Sequence, residues 1–204
     1  MSKSCADKIP PFYITHWTPK MTSIYKILKD GYMIAGNDLP AKYLTMSVPG
    51  DSFDNVYGML YFEDLKNMPL ILRPAIILHP NIVCEGITFN QGWGGSGITK
   101  KEQPITINKL DSKTVVVKKI NAMRKYIKNP YTLNKMVVQW WDHHHEILMP
   151  RKISVKKYVI GIVCFPEDSK KLQSVIKKYN YNINVITDTS HPPTLAEIVA
   201  PYKK

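Results

Sequence analysis

Hydrophobic and polar positions along the 204-residue chain change period several times. "PFYITHW" is aromatic and β-branched, which predicts a short strand. "MTSIYKILKDG" follows with Ile24, Ile27 and Leu28 at helical spacing; Thr22 or Ser23 is placed to cap it, and Gly31 to close it. "AKYLTMSV" alternates up to Pro49-Gly50, and "NVYGMLYFEDL" alternates again, so both read as strands. "RPAIILHPNIVCEG" is apolar but broken by Pro74 and Pro80, which predicts two short strands or edge pieces. Residues 86–103 read as a loop, since four glycines fall between positions 92 and 97.

The second half is more helical. Val116, Ile120, Met123 and Ile127 form one stripe opposite lysines, predicting a helix over 112–129 that Pro130 ends. "TLNKMVVQWW" predicts another helix. "HEILMP" and "KYVIGIVCF" read as strands joined by the polar turn "RKISVK". "EDSKKLQSVIKKYN" is an amphipathic helix with acidic residues in its first turn and lysines in its last, as the helix dipole favours. "NINVITD" is a last strand and "TLAEIVAPYKK" a tail helix. Strands and helices do not alternate regularly, so the expected class is α+β rather than a doubly wound sheet. The expected organisation is a polar leader over 1–10 and a single domain over 11–204.

Composition narrows the classes. With 44% hydrophobic residues the chain can bury a core without staples. No apolar run reaches the ~18 residues of a membrane span, and the N-terminus lacks the pattern of a signal peptide. Cys5, Cys84 and Cys164 have no metal-binding spacing; they read as free thiols of an intracellular protein, cytoplasmic or nuclear. The formal charge of +12 favours a polyanionic partner, nucleic acid first. Most of it is lysine, alongside much asparagine, isoleucine and tyrosine, which is also what an AT-rich genome, such as that of a large virus or a parasite, encodes.

Few motifs carry chemistry. GxGxxG, GxxxxGK[ST], GxSxG and HExxH are absent. The run "WWDHHHEILM" holds His143, His144 and His145, but on a strand only two of three consecutive side chains share a face, while zinc needs three or four ligands. No metal is expected, and a metal-dependent hydrolase is the weakest reading. Glu146 is different: one carboxylate at the entrance of an apolar strand, after Trp140 and Trp141.

"FYITHWTPKMTSIYKILKDGYMIAGNDL" resembles the opening of ADP-ribosyltransferase domains, particularly DarT-type enzymes, in which a "HITH"-like strand precedes a helix. "HHHEILMPRKISVKKYVIGIVCF" resembles their closing motif, in which a catalytic glutamate begins a strand. Tyr13 stands where the family has its first histidine, leaving His16 as the second. The resemblance implies a split, mostly antiparallel sheet flanked by helices, with NAD as co-substrate. It implies that Glu146 stabilises the oxocarbenium-like transition state and that His16 contacts the dinucleotide. Tyr43, Thr45 and Ser47, alternating along "KYLTMS", would line the cofactor cleft, with Trp93 in a substrate loop. The implied acceptor is nucleic acid; a protein acceptor and a non-enzymatic nucleic-acid-binding protein on the same fold stay open, as does the oligomeric state.

Overall fold

The computed structural model describes residues 11–36, 55–65, 68, 71, 73–90, 104–128, 146–188 and 190–199. The strands are β1 (Phe12–Trp17), β2 (Tyr32–Ile34), β3 (Val56–Phe62), β4 (Ala75–Leu78), β5 (Ile87–Asn90), β6 (Ile105–Ile107), β7 (Glu146–Met149), β8 (Lys152–Ser154), β9 (Val159–Val163) and β10 (Asn184–Ile186). The α-helices are α1 (Met21–Asp30), α2 (Lys113–Ile127), α3 (Val155–Tyr158), α4 (Pro166–Lys178) and α5 (Leu195–Val199). Eight strands form one sheet in the order β10-β9-β4-β1-β3-β7-β5-β6, and β2 pairs with β8 in a small second sheet. Among the described residues, only β9 and β10 pair in parallel; the other ladders are antiparallel. The architecture is the expected α+β one.

The helices form where spacing predicts. In α2, Val116, Ile120, Met123 and Ile127 are all buried, and Ser112 accepts a hydrogen bond from the Val115 amide at 3.4 Å as its N-cap. Its Tyr126 ring meets Phe89 of β5 edge-on at 5.8 Å, which seats the helix on the Ile147 side of the sheet. Helix α1 buries Ile24 and Leu28, an i,i+4 pair, and packs against α4. Gly31 ends α1 at φ 77°, a left-handed position that suits glycine, with its amide on the Ile27 carbonyl. Cap expectations at the other end fail: α1 starts at Met21 after Lys20, without a side-chain cap, so neither Thr22 nor Ser23 plays that part.

Other departures have local causes. Pro80 does not interrupt a strand; it opens a 3-10 helix (Pro80–Glu85), where proline's missing N–H costs nothing. "ITFN", read as part of a loop, is strand β5, pairing with β6 and β7. "RKISVK" contains β8, whose partner β2 lies far away in sequence. Cys164 is a free, buried thiol as expected, whereas Cys84, read as free, is disulfide-bonded. Among the described residues, no helix is long and apolar enough to cross a membrane. The strand expected at 41–48, the glycine-rich stretch and the helix expected at 132–141 lie outside the described residues.

Candidate active site

Strand β3 is shared between two half-sheets, and that sharing positions the site. Its second half, Met59 to Phe62, pairs with Thr15 to Phe12 of β1. Its first half, Val56 to Met59, pairs with Met149 to Glu146 of β7. Past Thr15, β1 leaves β3 and continues beside β4 as far as Trp17 opposite Ala75. The sheet therefore splits between β1 and β3 at the Thr15–Met59 pair. Glu146, the first residue of β7, pairs with Met59 at this junction and with Asn90 of β5 on its other side.

Register then sorts the expected residues by row. Asn90, Glu146, Met59, Thr15 and Ile77 form one cross-strand row. Because side chains alternate across a strand, Tyr13 and Tyr61 belong to the face of that row, while His16, paired with Ile76, belongs to the neighbouring row and the other face. Strand pairing thus brings Glu146 to Thr15 and not to His16. Tyr43, Thr45, Ser47, Trp93 and His143 to His145 lie outside the described residues. No group of three metal-ligating side chains occurs among the described residues.

Half-buried His16 has a defined chemical state. Its Nδ1 lies 2.6 Å from the Tyr57 carbonyl oxygen, which can only accept, so Nδ1 carries the proton. Burial pushes its pKa below the ordinary histidine value, against a smaller upward pull from this bond. The ring is therefore neutral at pH 7, and Nε2 is an acceptor. The bond spans the gap where the β1–β3 ladder has stopped, tying the half-sheets together with a side chain.

Gly58 makes that junction tight. A Cβ there would lie 2.6 Å from Ile14 Cγ2, 2.8 Å from the Thr15 carbonyl oxygen and 2.9 Å from Met149 Cε. Only glycine lets β1 and β7 approach β3 this closely at the residue next to Met59.

Beside the row, on its face, lies a cavity of about 310 Å³. Tyr13, Tyr61, Glu63, Leu65 and Met68 line it from the sheet side, and Ser190 to Thr194 from the C-terminal segment. The Tyr13 and Tyr61 rings stack at 5.4 Å, with planes 4° apart. Burial raises both phenols well above their ordinary range, so both stay protonated. The C-terminal segment is held in place by a capping box: the Thr194 amide donates to Glu197 Oε2 at 2.6 Å, and the Glu197 amide donates to Thr194 Oγ1 at 3.2 Å. The Leu195 amide donates to the Glu63 carboxylate. Sequence reasoning missed Tyr61 and Glu63, and took Tyr13 only as a replaced histidine; the signal available was the parity of Tyr13 with Thr15 on one strand.

A family model described as a family of unknown function (DUF5846) matches residues 9–130. The chain belongs to this family. An uncharacterized protein of Acanthamoeba polyphaga mimivirus is 30% identical to this DUF5846 chain over 212 residues, covering 95% of the chain and 76% of the viral protein. Among solved structures, Thermus sp. 2.9 DarT in complex with ADP-ribosylated ssDNA is similar at a TM-score of 0.50 and 12% identity, covering 93% of this chain and 98% of that one. The same DarT in complex with carba-NAD+ is similar at a TM-score of 0.51 and 13% identity, covering 90% and 97%. The DUF5846 chain therefore has the DarT-like ADP-ribosyltransferase fold that its two end motifs suggest.

Proposed function

We propose that this protein is an NAD-dependent mono-ADP-ribosyltransferase whose acceptor is a nucleic acid. The observation that carries the reading is the position of Glu146: it begins a central strand at the split of a DarT-like sheet. NAD enters as co-substrate by likeness to DarT structures holding NAD+ and carba-NAD+. A nucleic-acid acceptor rests on the DarT complex with ADP-ribosylated ssDNA and on this chain's own charge of +12. Protein acceptors are the alternative within the same chemistry.

In this reading the bond from the ribose C1′ to nicotinamide breaks, and nicotinamide leaves with the bonding pair. The Glu146 carboxylate stabilises the developing oxocarbenium charge. The acceptor nucleophile then bonds to C1′ and gives up its proton, with Glu146 as base. His16, neutral and with Nε2 able to accept from a hydroxyl, contributes at the split, where it also fixes β3 against β1. Tyr43, Thr45 and Ser47 complete the dinucleotide cleft, and Trp93 contacts the acceptor.

Incubation with labelled NAD and single-stranded nucleic acid tests the proposal. Wild type should transfer label and release nicotinamide, and Glu146→Ala should lose at least about 100-fold of the rate, the scale for removing one transition-state stabiliser. The charge alone also supports a second reading, a basic nucleic-acid-binding protein without transferase activity. It predicts salt-sensitive binding and no change in melting temperature with NAD, whereas a ligand of the folded state must raise it.

A further inference from the structure

The cavity beneath Ser190 to Thr194 holds a feature that packing does not explain. Tyr13 is 1% exposed, and its hydroxyl has no hydrogen-bond partner among the described residues. A buried donor left unmade is costly, and a phenylalanine would fill the same space without that cost. The cavity that this residue lines, about 310 Å³, sits at the small end of ligand sites.

We infer that this cavity is a binding site for one planar nitrogen heterocycle with both an N–H donor and a ring or carbonyl acceptor, the chemistry of a nucleobase or nicotinamide. The Tyr13 hydroxyl, protonated because burial keeps it so, donates to the ligand's acceptor. Glu63, one of whose carboxylate oxygens takes the Leu195 amide, is the lining group that accepts from the ligand's N–H. The parallel Tyr13–Tyr61 pair on one side and Pro192 and Pro193 on the other make the walls of a slot suited to a flat ring. Among the described residues, no lysine or arginine lines the cavity, and a carboxylate does, so free phosphate and other anions are poor occupants. An aliphatic ligand would leave the Tyr13 hydroxyl unpaired and is disfavoured for the same reason.

The ring can come from two sources, a base of nucleic acid or one of the rings of a dinucleotide such as NAD. The inference needs binding alone and does not depend on transferase activity, so the two fail separately.

Calorimetric titration and melting curves of the full chain with adenosine, cytidine, nicotinamide, NAD and a short single-stranded oligonucleotide test it, using wild type, Tyr13→Phe, Glu63→Gln and Glu146→Ala. At least one free heterocycle should bind wild type and raise its melting temperature. Tyr13→Phe should melt at or above wild type without ligand, because it removes an unpaired hydroxyl. It should also bind about tenfold more weakly, the scale of one lost hydrogen bond. Glu63→Gln should weaken binding of rings that offer an N–H. Glu146→Ala should bind the free ring as wild type does. If nicotinamide or NAD binds and nucleosides do not, the source is the dinucleotide; the reverse pattern assigns it to nucleic acid. If no heterocycle binds, or Tyr13→Phe binds as tightly as wild type, the cavity is merely a solvent pocket and the inference is overturned.

Discussion

Gly58→Ala probes the split most sharply without touching a charged group. The added Cβ would sit 2.6 Å from Ile14 Cγ2, 2.8 Å from the Thr15 carbonyl oxygen and 2.9 Å from Met149 Cε. Met149 has a flexible end that can swing away, but the Thr15 oxygen is backbone in the middle of β1, held by ladders to β3 and β4. Relief therefore requires β1 and β3 to separate at the point where the sheet already divides. Overpacking of this kind costs about 1–3 kcal/mol. For a chain of this size each kcal/mol moves the melting point by roughly 2–4 °C, so a fall of about 3–12 °C is expected. Glu146 pairs with Met59, one residue from the clash, so catalysis should drop by more than the loss of folded protein accounts for. Thermal melts and labelled-NAD transfer at a temperature where both proteins are folded measure the two effects. A variant that melts as wild type does would refute the claimed close approach of β1 and β3.

Gly161→Ala is the matching control: its Cβ would meet only side-chain tips, Ile198 Cγ2 at 3.1 Å and Ile186 Cδ1 at 3.3 Å, so melting should shift by no more than about 1 kcal/mol. His16 has a folded pKa below 6.5, so below pH 6.5 the unfolded state binds the extra proton first; stability is full above pH 6.5 and falls as pH drops toward the folded value. Denaturant melts from pH 8 to 5 should show that loss, and His16→Asn, which retains a donor near the Nδ1 position, should flatten the part of the slope that His79, also lowered by burial, does not supply. Glu85 is held down to about 2 by its hydrogen bonds from Lys157 and then Tyr158, so its contribution is present above pH 4.5 and lost as pH falls toward 2. Glu85→Gln should lower stability at pH 7 by a modest amount, given the exposed lysine partners, and should reduce the acid-linked loss seen in melts between pH 5 and 2.

Much of this fold is legible from local pattern. Helices α2 and α4 announce themselves because their apolar residues recur at the period of one helical face, and their termini carry capping or dipole-matched residues. Strands β1, β3, β7 and β9 are short apolar or alternating runs, and Glu146 stands out in the sequence as a single carboxylate at the head of the apolar run that forms β7. What local pattern misses is pairing across distance. β2 and β8 are three residues each and exist because Tyr32 to Ile34 meet Ser154 to Lys152, more than a hundred residues away. β5 borders a glycine-rich stretch whose composition masks it, yet it is held on both sides by β6 and β7. The same limit applies to the site. Nothing in "FYITHW" alone says which of Tyr13 and His16 shares a face with Glu146, because that depends on the register of β1, β3 and β7 together. Tyr61 and Glu63 acquire meaning only when the segment from Ser190 folds back over them.

The central claim is that Glu146, at the split of a DarT-like sheet, drives transfer of ADP-ribose. The most direct measurement is a time course of nicotinamide release and label transfer from NAD to single-stranded nucleic acid, wild type against Glu146→Ala, both verified as folded by their melting curves. The account predicts release and transfer by wild type and a loss of at least about 100-fold in the variant, with melting unchanged to within about 1 kcal/mol. Equal rates from the two proteins would remove Glu146 from the chemistry, and no release or transfer from either, on nucleic-acid or protein acceptors, would contradict the transferase reading itself.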